Sequence, residues 1–310
     1  MPTPPTKPYF SVVSPVYRAE HLLDELVARL HAVLAPLTDS YEIILVDDSS
    51  PDGSWGKIQA LAAVDARIRG LRLSRNFGQH HAITAGLDAA RGEWVVVMDC
   101  DLQDRPEEIP ALYARTRQGY DVVLASRTSR QDAWLKTSIS RGFYALLSYL
   151  TGTHQDPRVA NFGLYHRRVV AAVGQLRESI RYFPTMVRWV GFRQITVPVQ
   201  HAPEGRPGTY SFARRLRLAT DVILASSDKP LRLMAYLGLL LSGGAFLLGL
   251  ITLVRYAIGQ ITVPGYTSLL LAISFFSGLI LLALGTVGLY VGKIFESVRQ
   301  RPLYVVEATT

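Results

Sequence analysis

Residues 93–108 read EWVVVMDCDLQDRPEE, and this stretch decides the fold expected for the chain. Its apolar run, Trp94–Met98, is short, rich in β-branched residues and bounded by polar ones, which is typical of a strand buried on both faces of a sheet. The run leads into Asp99 and Asp101, whose carboxylates can share one hard divalent cation, because such cations prefer oxygen ligands and often keep waters that a diphosphate replaces. The stretch therefore predicts a site for a nucleoside diphosphate, although an isolated D-x-D also occurs as a pair of solvated turn aspartates.

Strands and helices are expected to alternate on both sides of this stretch. Apolar segments at Phe10–Val16, Glu42–Val46 and Leu71–Leu73 read as strands, and each is followed by a segment with helical character. Such alternation predicts an α/β fold with a mostly parallel, helix-covered sheet, in which ligands lie beyond the carboxyl ends of the strands. Polar clusters occur at three of these strand ends: Asp47–Asp48, Arg75–Asn76 and Asp99–Asp101.

The last third of the chain has a different composition. The 22 residues between Arg232 and Arg255 carry no charge, and neither does the stretch from Tyr256 to Gly292. About 20 helical residues cross a hydrocarbon core of roughly 30 Å, so each stretch is long enough to span a bilayer. Two buried helices of a soluble protein are the alternative, but such helices normally show a polar face. The sequence therefore predicts a transmembrane hairpin over residues 231–292.

Charges that flank the hairpin predict its orientation. Lys229 and Arg232 lie near the start of the first span, Lys293 and Arg299 follow the second, and the connection between the spans carries only Arg255. By the positive-inside rule, the soluble part and both termini are expected to be cytoplasmic, in a multi-pass protein of the inner (plasma) membrane. The first residues, MPTPPTKPYF, lack the apolar segment of a signal peptide, which agrees with this orientation.

The chain has a formal net charge of +8, which raises the question of a nucleic-acid partner. Its basic residues concentrate near the predicted spans, where anionic membrane lipid is the nearer partner, and no nucleic-acid-binding motif occurs, so no nucleic acid is expected. Residues Ser211–Ser226 carry arginines on one side and apolar residues on the other. This pattern predicts an amphipathic helix over 211–230 that lies in the membrane interface or docks on the protein.

The order of four motifs resembles that of a known enzyme family: VVSPVY, VDDSSPDGS, the D-x-D of DCDLQD, and the two C-terminal spans. In these motifs the chain is similar, over essentially its whole length, to the polyprenyl-phosphate glycosyltransferases, which are inverting enzymes with a GT-A fold. The resemblance implies a cytoplasmic GT-A domain at 1–210, the juxtamembrane helix at 211–230, the hairpin at 231–292 and a cytoplasmic tail at 293–310. It also implies a UDP- or GDP-linked nucleotide sugar as donor, Mg²⁺ or Mn²⁺, a polyprenyl (undecaprenyl) phosphate as acceptor, a homo-oligomer, and a role in cell-envelope glycan or lipid modification.

The resemblance also implies which residues bind the donor. Asp101 and Gln103, with Asp99, would hold the metal ion and the diphosphate. One of the pair after the second strand would accept a hydrogen bond from the base, and Arg127 would lie near the donor. Asp99, Asp101 and Arg127 are thus the expected catalytic residues. Those expected around the nucleotide are Pro15, Tyr17, Glu20, Asp47, Asp48 and Asp99.

The acceptor phosphate is assigned to four other residues by the same resemblance. Lys136 and Ser140 are four apart on a predicted helix and therefore on one face, where they would receive the phosphate. Arg206 and Tyr210 belong to a loop that would close over both phosphates. The chain departs from several relatives at Asn161, where they have aspartate, and at Gln79, where a lysine is common, which leaves the roles of these positions open. The neighbouring His80 and His81 are expected to pack in the loop or at the start of the next helix.

Two other functions stay open. A hydroxyl acceptor on a lipid-linked glycan or polysaccharide would need a general base, whereas a phosphate is already an anion near neutral pH, its second pKa being about 6. The sequence offers no compelling separate carboxylate as that base. A membrane-anchored scaffold with a degenerate nucleotide site is the non-enzymatic alternative, and the intact Asp99, Asp101 and Arg127 argue against it.

Overall fold

The structure is a computed structural model of the chain. The residues fall into two compact units, of which one holds the sheet together with residues 301–310 and the other holds the long apolar helices. The predicted helices at Leu135–Leu150 and Ser211–Ser226 lie outside the described residues. The structure describes residues 8–127, 159–178, 181–200, 229–258, 265–299 and 301–310.

An eight-stranded mixed sheet forms the centre of the first unit. Its strands are β1 (Phe10–Val16), β2 (Tyr41–Asp47), β3 (Ile68–Leu73), β4 (Trp94–Val97), β5 (Val122–Arg127), β6 (Val159–His166), β7 (Gln194–Val199) and β8 (Val306–Thr309). In space they follow the order β7-β5-β6-β4-β1-β2-β3-β8. Neighbours in the run β4-β1-β2-β3 and in the pair β5-β7 are parallel, whereas β6 and β8 run antiparallel to their neighbours. The mostly parallel sheet expected from the sequence is confirmed.

Apolar side chains are buried on both faces of this sheet. Alternate residues of β2 enter different core clusters, with Ile43 and Leu45 in one and Ile44 and Val46 in the other. This double burial explains why the strand is apolar without a break from Ile43 to Val46. The covering helices are α1 (Leu23–Leu34), α2 (Ser54–Val64), α3 (Gln79–Ala89), α4 (Ile109–Thr116), α5 (Arg167–Gln175) and α6 (Phe183–Trp189), with short 3₁₀ turns at Glu20–Leu22 and Pro106–Glu108.

Two long helices, α7 (Lys229–Ala257) and α8 (Tyr266–Val298), make up the described part of the second unit's helical hairpin. By length and composition, the windows Leu231–Leu248 and Phe275–Gly292 are apolar enough to cross a membrane. The described side chains in both windows are exposed or partly exposed. Core helices of a soluble protein would bury such residues, so this exposure favours membrane spans.

Residues 301–310, which we call the return segment, belong to the first unit. The sequence placed residues 293–310 in a separate tail, but α8 continues to Val298 and β8 pairs with β3 at the edge of the sheet. Because β8 is antiparallel to β3, its first residue lies at the end of the sheet where the parallel strands finish, which we call the carboxyl edge. β7 finishes at this carboxyl edge as well, because it runs parallel to β5.

Candidate active site

Three sharp backbone turns mark the carboxyl edge of the sheet. Arg18, Ser49 and Leu102 have φ values of 55°, 53° and 60°, and they are the non-glycine residues with positive φ in the described part of the chain. They follow β1, β2 and β4, which are neighbours in the sheet. Positive φ is uncommon outside glycine, and strained backbone of this kind clusters at functional sites. The turns therefore point to this edge as the site.

Asp99 lies at the centre of this edge, in the loop that follows β4. Its Oδ1 accepts a 2.6 Å hydrogen bond from Gln79 Nε2, and Asn161 contributes a second side-chain hydrogen bond. Burial, followed by the charges of Asp104 and Asp101, raises the pKa of Asp99 to about 7, and the two amides oppose this shift. Such crowding of carboxylates is relieved when a cation binds between them.

The side chains around Asp99 suit a hard divalent cation. Asp101 is exposed, and its Oδ1 accepts a 3.1 Å hydrogen bond from the backbone N–H of Gln103, whose side chain is partly exposed. Among the described residues, no three acidic, histidine or cysteine side chains converge as a preformed cage. Mg²⁺ is commonly held by one or two carboxylates, waters and substrate phosphates, so an open site with Asp99 and Asp101 fits this chemistry.

The two aspartates after β2 have different surroundings. Both oxygens of Asp48 accept backbone N–H groups, from Phe77 at 2.8 Å and from Gly78 at 2.9 Å. Asp47 Oδ1 accepts from the Ser50 N–H at 3.1 Å, whereas its Oδ2 is buried and accepts no hydrogen bond from the described residues. Burial is the main cause that raises the pKa of both carboxyls. Asp48 thus fixes the loop before α3, and Asp47 keeps an oxygen for another donor.

The β1 and β2 loops are tied to each other. Glu20 Oε2 accepts the Gly53 N–H at 3.1 Å, and a Cβ at Gly53 would lie 2.4 Å from the Glu20 carboxylate, so a larger residue there would displace this carboxylate from the junction. Tyr17 is 45% exposed beside this junction. Pro15, by contrast, is buried inside β1 opposite Val46. Of these three predicted base and ribose residues, Tyr17 and Glu20 therefore lie at the surface of the edge.

Gln79, Asn161 and Asp104 contribute to the site, although the sequence did not assign them roles. In the sequence, Gln79 and Asn161 differ from the residues of relatives, but no pattern there shows that they contact Asp99. In the fold, the start of α3 presents Gln79 to Asp99, and Asn161 reaches Asp99 because β6 pairs with β4. Asp104 belongs to the DCDLQD motif and is 2% exposed. His80 packs edge-on against Tyr182 with ring centroids 4.9 Å apart, which agrees with the packing role expected for it.

The other predicted site residues have side chains that lie outside the described part of the chain. The backbone of Arg127 ends β5 opposite Val199, and its side chain is outside the described part. The acceptor-phosphate residues also lie outside the described ranges, and their roles stay predictions. They are Lys136, Ser140, Arg206 and Tyr210.

Comparisons with known proteins agree with this geometry. Residues 11–174 match the family model described as glycosyl transferase family 2. The chain is 38% identical over 298 residues to an uncharacterized glycosyltransferase of Synechocystis sp., covering 96% of this chain and 94% of that protein. It is 36% identical over 301 residues to the undecaprenyl-phosphate 4-deoxy-4-formamido-L-arabinose transferase of Proteus mirabilis, covering 96% and 92% of the two chains.

A solved structure supports the fold. The glucosyl-3-phosphoglycerate synthase of Mycobacterium tuberculosis, in complex with Mn²⁺, UDP and phosphoglyceric acid, matches with a TM-score of 0.51 over 70% of this chain and 77% of that one. The sequences are 19% identical there, so this likeness concerns the fold alone. With the family match and with relatives that align along nearly the whole chain, it follows that the protein is a glycosyltransferase of family 2 with a GT-A fold.

Proposed function

We propose that the protein transfers a sugar from a UDP- or GDP-linked donor to polyprenyl phosphate at the membrane surface. The observation that carries this proposal is that the chain leaves the sheet after β7, and re-enters it at β8, at the carboxyl edge where the candidate site lies. β7 ends and β8 begins at this carboxyl edge, which also carries the Asp99 cluster, although the two are the outermost strands on opposite sides of the sheet. An acceptor with a membrane-embedded tail and a phosphate headgroup suits a site connected in this way.

The donor would bind with its diphosphate beside Asp99 and Asp101 and with its base towards Asp47. A buried acceptor without a hydrogen bond costs free energy, and an N–H of the base would satisfy Asp47 Oδ2. Gln103 and Arg127 would lie along the diphosphate. Bound Mg²⁺ or Mn²⁺ would supply charge stabilisation for the leaving diphosphate. The protein's own part is to hold Asp99 in place through Gln79 and to position the donor.

A phosphate acceptor fits the described carboxylates better than a hydroxyl acceptor. A phosphate is ionised near neutral pH and attacks without a general base, whereas an alcohol needs a base within hydrogen-bond reach. Three of the carboxylates at the carboxyl edge already accept hydrogen bonds: Asp48 from two backbone N–H groups, Glu20 from another, and Asp99 from Gln79. Relatives named undecaprenyl-phosphate transferases, from Proteus mirabilis and Aeromonas hydrophila, also support a phosphate acceptor.

The return segment supports a hairpin topology. β8 belongs to the same sheet as β1, so the chain crosses any membrane an even number of times between β7 and β8. Two crossings by α7 and α8 satisfy this condition, and by the positive-inside rule the flanking basic residues favour a cytoplasmic catalytic domain and cytoplasmic termini at the inner membrane. Association of several copies through the exposed apolar helices remains a prediction.

A transfer assay tests this function. The purified protein would be incubated with undecaprenyl phosphate, Mg²⁺ or Mn²⁺ and a panel of radiolabelled UDP- and GDP-sugars, and label would be followed into the organic phase. We expect one donor to label the lipid and EDTA to abolish the labelling. If every nucleotide sugar leaves the lipid unlabelled while one of them still binds to the protein, the proposed acceptor is wrong.

A further inference from the structure

The return segment contacts the chain on either side of Gln79, once at the end of β3 and once near the far end of α3. Val305 O accepts the backbone N–H of Ser74 at 2.9 Å, where β3 ends. The hydroxyl of Tyr304 donates to Asp88 Oδ2 at 2.8 Å, near the end of α3, and its ring packs against the core cluster on that face. Burial, and then the hydrogen bond to Asp88, raise the pKa of Tyr304, so its phenol keeps the proton that it donates.

These contacts hold the part of the chain that presents Gln79 to Asp99. The loop from Ser74 to Gly78 joins β3 to α3, and Gln79 is the first residue of α3. Asp48 binds this loop from the β2 side through the Phe77 and Gly78 amides, as described above. The return segment binds the loop from the β8 side and the helix near its far end. Gln79 therefore depends on both sets of contacts for its position.

A third contact connects the return segment with Asp47. Arg72 Nε lies 3.4 Å from Glu307 Oε2 and 3.7 Å from Asp47 Oδ2. Glu307 is half exposed, so this ion pair is screened by water and contributes little energy. It nevertheless links β8, through Arg72 of the intervening strand β3, to the carboxylate that we assign to the base.

We propose that the return segment is a positioning element of the donor site and that Tyr304 is its main positioning residue. Through Asp88, Tyr304 holds α3 so that Gln79 stays against Asp99 while the donor binds. This inference rests on the proposed function, because it assumes a nucleotide at this edge. It also makes donor binding depend on the segment that follows α8.

The test compares Tyr304→Phe with Thr310→Val. Thr310 Oγ1 accepts the Gly70 N–H at 2.8 Å, so the control also removes one side-chain hydrogen bond of the return segment, but within β3 and not at the β3–α3 loop or at α3. Binding of UDP and of GDP, each with Mn²⁺, would be measured by calorimetry on the full-length protein. We expect Tyr304→Phe to raise the Kd of the nucleotide about fivefold and Thr310→Val to leave this Kd within about twofold of the wild-type value.

Two further readouts separate positioning from general stability. In Tyr304→Phe, the donor KM rises while the KM for undecaprenyl phosphate stays unchanged. Hydrogen exchange at the Phe77 and Gly78 amides becomes faster in Tyr304→Phe but not in Thr310→Val. The melting temperatures of the two variants are compared, so that a difference in overall stability is recognised.

The outcomes distinguish the inference from the proposed function. If wild-type protein binds neither UDP nor GDP, the proposed function is wrong and the inference falls with it. If wild-type protein binds one of them and Tyr304→Phe binds it equally well, with unchanged amide exchange, only the inference is wrong. Equal weakening by both variants would also overturn it, because the return segment would then act through stability alone.

Discussion

Asp47 and Asp48 are adjacent, but the structure gives them opposite roles, which predicts a separation of stability from binding. Asp48 accepts two backbone N–H groups in a buried setting. Asparagine supplies one acceptor oxygen and turns its NH₂ towards the second N–H, so Asp48→Asn loses one charge-assisted hydrogen bond. Such a bond contributes about 1.5–3 kcal/mol. At about 2–4 °C per kcal/mol for a domain of this size, the melting temperature should fall by roughly 3–12 °C.

Asp47→Asn should behave differently. Its Oδ1 bond to the Ser50 N–H can be kept, and its Oδ2 has no hydrogen bond to lose within the described residues. The Arg72 contact is longer than a hydrogen bond, at 3.7 Å, and Arg72 is partly exposed, so it contributes about 1 kcal/mol. Stability should therefore change little, whereas nucleotide affinity should fall about tenfold if the carboxylate accepts an N–H of the base.

Both variants would be measured by thermal melting in detergent and by calorimetric titration with UDP and GDP in the presence of Mn²⁺. The reasoning predicts a lowered melting temperature for Asp48→Asn and weakened nucleotide binding at normal stability for Asp47→Asn. The assignment would be refuted if Asp48→Asn melted like wild type, or if Asp47→Asn bound the nucleotide as tightly as wild type.

Three other predictions concern the metal, the acceptor and pH. Asp101→Ala should abolish turnover while the melting temperature stays nearly normal, because Asp101 is exposed in the loop after β4. The control Asp39→Ala, at another exposed aspartate, should leave turnover unchanged. Normal turnover in Asp101→Ala would show that Asp101 is not a metal ligand. Lys136→Ala should raise the KM for undecaprenyl phosphate more than the Kd for nucleotide, with Lys57→Ala as the control, and equal effects on both quantities would contradict the acceptor role. Burial lowers the pKa of His80 to about 4, so the unfolded chain binds a proton at higher pH than the folded one, and stability should fall by about 1–3 kcal/mol as pH drops from 6.5 to 4. Urea titrations of wild type and His80→Gln between pH 6.5 and 4 measure this loss. The variant should lose less unfolding free energy on acidification than wild type. If the unfolding free energies of both proteins fell in parallel, His80 would not be a buried neutral imidazole.

Much of the sheet follows from local sequence. The apolar runs in β2, Ile43–Val46, and in β4, Trp94–Val97, are continuous because both faces are buried, and this pattern is visible without a structure. The acidic ends of β2 and β4 likewise show which edge carries the site. Local patterns were sufficient here because each strand and the polar cluster that follows it are adjacent in the chain.

Long-range contacts explain what the sequence could not predict. β8 has the sequence VEAT, in which the apolar and polar alternation covers four residues and is too short to predict a strand, and it forms because β3 offers a free edge. Asp48 looked like a candidate for the base, but it binds amides 29 and 30 residues later in the chain. Asn161 reaches Asp99 only because β6 inserts antiparallel beside β4. None of these pairings leaves a periodic signal in the chain.

The central claim, that the sugar is transferred to a lipid phosphate, is tested most directly by comparing undecaprenyl phosphate with undecaprenol. Mass spectrometry of the lipid fraction would follow reaction with the active nucleotide sugar and Mn²⁺. The account predicts that undecaprenyl phosphate gains the mass of one sugar residue and that undecaprenol is unchanged. Equal glycosylation of the alcohol, or release of free sugar without any lipid product, would contradict it.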